Sequence, residues 1–158
     1  MATQPVPLTR EGLAKLSAEL EYLQTVKRQE VAAQIHDEWE SDAARDNVPS
    51  YDYAKSEQAM LEGRIVELEY LIRNAQIIDE ESARQTDHAQ LGSIVSLKSE
   101  DGSRRSFTIV GSAEANPTEG RISNSSPVGS AILGKRVGEK VEVKVPAGLQ
   151  HFTITSIE

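Results

Sequence analysis

Two apolar stripes of helical period, separated by a polar stretch that contains a proline, constrain this chain more than any other feature. Leu13, Leu16, Leu20 and Leu23 recur at spacings of three and four and continue loosely through Val31 and Ile35. Leu61, Ile65, Leu68, Ile72 and Ala75 repeat the pattern. Such spacing lays an apolar stripe along one face of each helix, and two stripes of similar length invite antiparallel pairing. Thr9 is placed to cap the first helix. Asp37 to Asp52 is polar and holds Pro49, which a helix interior does not tolerate. It reads as the hairpin tip, with Ser50 or Asn47 capping the returning helix. A helix of about 30 residues is about 45 Å long at a rise of roughly 1.5 Å per residue. The first half is therefore expected to be a rod with its tip far from its base.

The composition agrees. Aromatic residues make up only 4% of the 158 residues, with two Phe and one Trp. A single thick core of this length would use more large rings, whereas a narrow helical seam is filled by Leu, Ile and Ala. With no Cys there is no disulfide, no thiolate zinc site and no Cys nucleophile. The three His (36, 88 and 151) are far apart in sequence, which argues against a His-based metal site or triad. No apolar run approaches the roughly 20 residues of a membrane span. Met1 to Thr9 lacks the pattern of a signal peptide. The expectation is a soluble cytoplasmic protein without membrane association.

The second half has a different grammar. Ser93 to Lys98 and Arg105 to Val110 flank Glu100-Asp101-Gly102, a turn signal, and predict a hairpin. Val141, Val143 and Val145 alternate with Glu142 and Lys144 before Pro146-Ala147-Gly148 turns the chain into Phe152, Ile154 and Ile157. Ser126 to Leu133 reads as a short helix with Ser at the N-cap, Pro127 at its first position and Gly134 at its end. Glu81 to Gly92 is polar and reads as a linker or loop. The fold expected is α+β, with a helical hairpin over residues 1–80 and a sheet domain over 81–158.

Charge divides the same way. Residues 1–80 hold 8 Lys and Arg against 16 Asp and Glu, whereas residues 81–158 hold 9 of each, so the whole formal charge of -8 belongs to the first half. Between 37 and 52 stand Asp37, Glu38, Glu40, Asp42, Asp46 and Asp52 against Arg45 alone. Like charges gathered at a turn repel one another, although exposure and salt reduce the cost. A solvated tip explains such a cluster. So does coordination of a hard divalent cation, since Mg²⁺ takes one or two carboxylates and fills its remaining positions with water and phosphate oxygens. Trp39, the only Trp, either packs near the hairpin end or meets a partner. The acidic balance argues against tight sequence-independent DNA binding by the chain as a whole. Lys27, Arg28, Lys55 and Arg64 lie along the coil as a solvated face or as contacts to RNA phosphates.

Three stretches carry a family resemblance. They are Leu8-Thr9-x-x-Gly12-x-x-Lys15-Leu16-x-x-Glu19-Leu20, Tyr51-x-x-Ala54-Lys55-x-x-Gln58 with Glu62-Gly63-Arg64-Ile65-x-x-Leu68-Glu69, and Gly120-Arg121-Ile122-Ser123-x-x-Ser126-Pro127-x-Gly129-x-Ala131-Ile132-Leu133-Gly134-Lys135. With Val110 to Ala115, they resemble bacterial Gre transcript-cleavage factors of the GreA type across the whole chain. The resemblance implies an N-terminal antiparallel coiled coil and a C-terminal FKBP-like domain. It also implies bacterial RNA polymerase in elongation complexes as the partner, with the nascent RNA 3′ end reached indirectly, and a monomeric factor with no cofactor of its own. The C-terminal domain would dock at the rim of the secondary channel through Ser123, Ser126, Pro127, Gly129, Ile132 and Leu133. The coil would bring tip carboxylates, here Asp42 and Asp46, to the Mg²⁺ shared with the polymerase active site. The factor would then stimulate the polymerase's own nuclease activity on backtracked RNA without being an enzyme itself.

The tip departs from the family pattern. Cleavage-active members carry Gly-Asp-Leu-x-Glu-Asn-Ala-Glu-Tyr, and counting back from Tyr51 puts the two acids on Ala44 and Asn47. Aligning Asp46-Asn47 with Glu-Asn restores one acid at the cost of an extra residue, and places the other position at Ala43, beside Asp42. Gre-factor homologues of the Gfh type keep the architecture, have altered Asp-rich tips and inhibit the polymerase, so inhibition through the same channel is the alternative. A prolyl isomerase needs an aromatic-lined pocket, and the second half offers only Phe107 and Phe152. A coiled-coil assembly module would explain the stripes but not the stretch from Ile122 to Lys135.

Overall fold

The computed structural model describes residues 4–40 and 49–158. Its chain forms two compact units, Leu13–Asn74 and a second made of Ala75–Glu158 together with the residues up to Gly12. The division thus falls a few residues ahead of the position near 80 expected from charge and period. It also assigns the start of the chain to the second unit.

The helical unit is an antiparallel hairpin, as the stripes require. Helix α1 (Arg10–Tyr22) runs through a π-helical turn (Leu23–Lys27) into α2 (Arg28–Glu40), and α3 (Pro49–Arg73) returns. Proline can start a helix because its missing N–H would have no intrahelical partner there. Pro49 does so, which puts Ser50 inside the first turn instead of ahead of it. Asn47, the other expected cap, lies outside the described residues. The helices thus reach further into the expected tip than sequence suggested, covering 37–40 on one side and 49–52 on the other. In the π turn the Arg28 N–H reaches the Leu23 carbonyl, five residues back, and Thr25 Oγ1 donates to the Glu21 carbonyl at 2.7 Å. That side-chain bond competes with the regular ladder where the extra residue enters.

Val31, Leu61 and Ile65 form the buried seam, with Leu20, Leu23 and Ile35 against it. Around it the charged residues pair across the helices. Arg64 grips Glu19 through two nitrogens (2.8 and 3.0 Å), and Arg28 grips Glu62 likewise (2.9 and 2.8 Å). Lys27 lies 3.2 Å from Glu57. Hydrogen bonds donated to Glu19 and Glu67 push the Arg64 guanidinium further up from its already high range. Each exposed pair contributes little stability, but together they fix the register. Lys27, Arg28 and Arg64 are thereby occupied within the coil, which favours the solvated-face reading over phosphate contacts.

The second unit is built on a five-stranded sheet in the order β5 (Arg121–Ser123), β4 (Arg104–Val110), β3 (Ile94–Ser99), β7 (Gly148–Ile157), β6 (Lys140–Val145). All neighbours are antiparallel except β4 and β5, which are parallel. The Asp101-Gly102 turn joins β3 to β4, with Gly102 at φ +87°. Hydrogen bonds from Ser103 and Ser99 hold the Asp101 carboxyl down at about 2. Alternation sends Val95, Leu97, Ile109, Val141, Val143, Phe152 and Ile154 to one face. There the short helix α5 (Pro127–Ile132) adds Ile132. The expected α+β architecture is therefore present.

Two features were not anticipated. The polar stretch 81–92, expected as a loop, includes most of a short helix α4 (Glu80–Arg84), capped by the Asp79 side chain accepting from the Ser82 N–H at 3.0 Å. In addition β1 (Val6–Leu8) pairs in parallel with β2 (Ala75–Ile77), which ties the beginning of the chain into this unit.

Candidate functional site

Two regions carry the residues singled out by sequence. The first is the end of the hairpin. Asp42 and Asp46 lie outside the described residues. Of their neighbours, Asp37, Glu40 and Asp52 are exposed, and His36 Nε2 stands 3.3 Å from Glu40. Trp39 is 60% exposed, and its ring centroid is 5.7 Å from that of Tyr51 with the planes tilted by 47°. This edge-tilted contact links α2 to α3, so the packing reading of Trp39 holds while much of its surface stays open to a partner. Among the described residues no group of three or more His, Asp or Glu is arranged to hold a metal ion.

The second region is the β5–α5 segment. Ser126 caps α5 as expected, its hydroxyl accepting from the Gly129 N–H at 3.0 Å and donating to the Ser123 carbonyl at 2.6 Å. The hydroxyls of Ser112, Ser123 and Ser125 close a triangle with sides of 2.8 to 3.0 Å. The six residues assigned to partner docking separate by burial. Pro127 and Leu133 are exposed and Ser126 is half-buried. Ser123 and Gly129 are buried, and Ile132 has no exposed surface at all. Ile132 packs against the sheet, which is the core-helix reading, and a residue with no exposed surface cannot meet a partner directly. Gly129 permits a close approach. A Cβ there would overlap the Ser123 carbonyl and crowd the Ser126 hydroxyl. Leu133 borders an open cleft of about 590 Å³ with Pro7, Ile77, Ile78, His88 and Leu91.

A carboxylate that sequence reading passed over organises this unit. The Glu114 side chain is 4% exposed. It accepts from the Thr9 N–H at 2.6 Å and the Thr9 hydroxyl at 2.5 Å, and Arg121 Nη1 is 3.4 Å away. Thr9 Oγ1 in turn accepts from the Gly12 N–H at 2.9 Å, which is the expected N-cap of α1. Arg121 Nη2 reaches Glu11 at 3.2 Å. A Cβ at position 12 would overlap the Glu114 carboxylate, so a larger residue there would displace that side chain from the clamp. The Thr9-x-x-Gly12 and Ser112-Ala113-Glu114 motifs are thus two halves of one clamp, 105 residues apart. The only signal in the sequence was that both belong to the resembling stretches. Replacing Glu114 by Ala leaves the Thr9 N–H and hydroxyl without their acceptor and removes one of the two carboxylates beside Arg121, which keeps Glu11. It should lower stability by about 2 kcal/mol. Amide hydrogen exchange should show the loss first at Thr9 and Gly12.

Comparison with known proteins gives these regions a context. The family model described as "Transcription elongation factor, N-terminal" matches residues 6–77, and that for the GreA/GreB C-terminal region matches 84–158. Transcription elongation factor GreA of Chloroflexus aggregans is 49% identical over 158 residues, covering 99% of both chains. GreA of Clostridium novyi is 49% identical over 151 residues, covering 95% of this chain and 94% of the other. A solved structure of Gfh1 from Thermus aquaticus is 33% identical, covers 99% of each chain and superposes with a TM-score of 0.46. With both halves matched and close relatives aligned almost end to end, the chain belongs to the GreA/GreB family of transcription elongation factors.

Proposed function

We propose that this protein binds bacterial RNA polymerase in elongation complexes, in the cytoplasm, as a monomer, and stimulates the polymerase's own cleavage of backtracked RNA. The observation that carries the reading is end-to-end similarity to GreA, on a chain whose two antiparallel helical arms flank the sequence between Glu40 and Pro49 that contains Asp42 and Asp46. In this reading the second unit docks at the rim of the secondary channel through the exposed surface around Ser126, Pro127 and Leu133. The hairpin enters the channel and lends Asp42 and Asp46 to the Mg²⁺ site. Carboxylate oxygens suit that ion, and one or two are what such a site commonly accepts from protein. When bound, a second Mg²⁺ helps to stabilise the attacking and leaving oxygens of phosphodiester hydrolysis. The chain's own contribution is to position those oxygens. Cation pairs along the coil hold the helices in register, and the Trp39–Tyr51 contact braces the end that carries the acids.

Inhibition without cleavage is the second reading, favoured by one observation. In the register counted from Tyr51, the family's two acid positions hold Ala44 and Asn47. Adding the protein to a backtracked complex separates the two. Shortened RNA and released 3′ fragments are the expected result. Slowed nucleotide addition with no fragments would replace cleavage by inhibition, and the absence of any binding to polymerase would remove both.

A further inference from the structure

The solvent face of the five-stranded sheet carries a line of cations that neither the fold nor the polymerase reading uses. The ladder places Arg104 on β4 opposite Lys98 on β3, Lys98 opposite Thr153 on β7, and Thr153 opposite Lys140 on β6. These four positions share one row across four strands. At about 4.8 Å between strands the row is about 14 Å long. All four alternate with core residues, namely Leu97, Val141, Phe152 and Ile154 or, for Arg104, the position paired with Leu97. They therefore point away from the core, with Arg104, Lys98 and Lys140 exposed. Lys144 stands four residues further along β6 on the same face, beyond Glu142.

The row costs stability. Like charges directly opposite on neighbouring strands repel, and among the described residues no carboxylate is in ion-pair contact with Lys98, Arg104, Lys140 or Lys144. Elsewhere Lys27, Arg28, Arg64, Arg84, Arg121 and Arg136 are paired, whereas Lys55, Arg73, Arg105 and Lys135 also stand without an ion pair among the described residues, singly and not in a row. Two acids border the row: Glu142, which faces His151 at 3.6 Å, and Glu100, which lines a shallow pocket with Lys98, Lys140, His151 and Thr153 without an ion pair to either lysine. Lysines on an edge strand discourage strand-to-strand aggregation, which accounts for Lys140 and Lys144 on β6. It does not account for Lys98 and Arg104, because β3 and β4 are interior strands.

We propose that this face binds the phosphate backbone of double-stranded nucleic acid. The cations are evenly backed by hydroxyls from Ser96, Ser106, Thr108, Thr153 and Thr155, groups that hydrogen-bond phosphate oxygens without reading sequence. Single-stranded nucleic acid is normally gripped by aromatic stacking. This face has none, since Phe107 and Phe152 belong to the core side and every Tyr and Trp lies before residue 81. A row of charge with no stacking platform suits the dense phosphates of a duplex. This unit, with the residues up to Gly12 and from Ala75 onward, holds 10 Lys and Arg against 12 Asp and Glu, a net of -2, so most of the chain's acidity lies in the hairpin.

The test is fluorescence anisotropy of a labelled duplex of about 20 base pairs with the full-length protein. Three phosphate contacts give a logarithmic salt slope of about -2.7, so binding should weaken about 40-fold between 50 and 200 mM salt. The combined variant Lys98→Ala, Arg104→Ala, Lys140→Ala should lose at least about tenfold in affinity at low salt and most of that slope. Lys98→Arg with Lys140→Arg should retain both. Lys55→Ala with Arg73→Ala, on α3, should behave as the unaltered protein. Absence of duplex binding at 50 mM salt, an unchanged slope in the triple variant, equally tight single-stranded binding, or equal displacement by polyglutamate of matched charge would each overturn the proposal. The last outcome would identify an acidic peptide surface instead. None of these readouts depends on polymerase, so the result stands apart from the fate of the cleavage reading.

Discussion

Replacing Asp42 and Asp46 together by Ala should reduce stimulated transcript cleavage by about 100-fold or more while leaving polymerase binding intact. A metal ion at a phosphoryl centre contributes several kcal/mol to the transition state, and each 1.4 kcal/mol or so is a factor of ten in rate. A lost carboxylate acts on that quantity directly. In the proposed mode, binding is carried by the coil and by the surface near Pro127 and Leu133, which the substitution does not touch. The single variants discriminate between the two ways of counting the tip. If one acid serves and the other is only solvated, one single variant should match the double and the other should match the unaltered protein. Cleavage undiminished in the double variant would remove these two acids from the account.

Gly129→Ala should destabilise the sheet unit by about 3 kcal/mol, a large effect for one methyl group. The added Cβ meets the Ser123 carbonyl, which is backbone, and crowds the capping hydroxyl of Ser126. Backbone cannot rotate aside as a side chain does, so either β5 or α5 must shift. Ile132 would then leave its place against the sheet. For a unit of this size the melting temperature should fall by about 12 °C or more. Gly63→Ala is the matched control. Gly63 sits within α3 with open space where a Cβ would go, and alanine there should stabilise the helix by about 0.5 to 1 kcal/mol. Equal and small effects of the two substitutions, read by thermal unfolding of the full-length chain, would contradict the packing described around α5.

Much of this architecture was legible in the sequence because its signals are local. The stripes through Leu61, Ile65 and Leu68 needed only the helical period. α5 announced both ends, through Ser126-Pro127 and Gly134, and its cap forms as those residues dictate. The β3–β4 turn followed from Asp101-Gly102. What escaped depends on partners distant in the chain. Val6 to Leu8 is too short to register as a strand until it meets Ala75 to Ile77, and Glu114 looks like any surface acid until Thr9 reaches it. α4 escaped because four polar residues and a single buried Ala83 make no apolar stripe. Its signal was the Asp79 cap three residues ahead of Ser82. For the stretch proposed to dock, the short helix and its cap were readable, but its division into buried Ile132 and Gly129 and exposed Pro127 and Leu133 required the packed sheet.

The central claim is that the chain lends carboxylates to the polymerase's metal centre, and the Mg²⁺ dependence of cleavage tests it most directly. Cleavage of a backtracked complex should be measured across a Mg²⁺ titration with no factor, with the protein, and with its Asp42→Ala, Asp46→Ala form. The protein should shift half-maximal cleavage to lower Mg²⁺ concentration, and the double variant should return the curve to that of polymerase alone. Coincident curves for the protein and the double variant, or a protein that suppresses cleavage at every Mg²⁺ concentration, would contradict it.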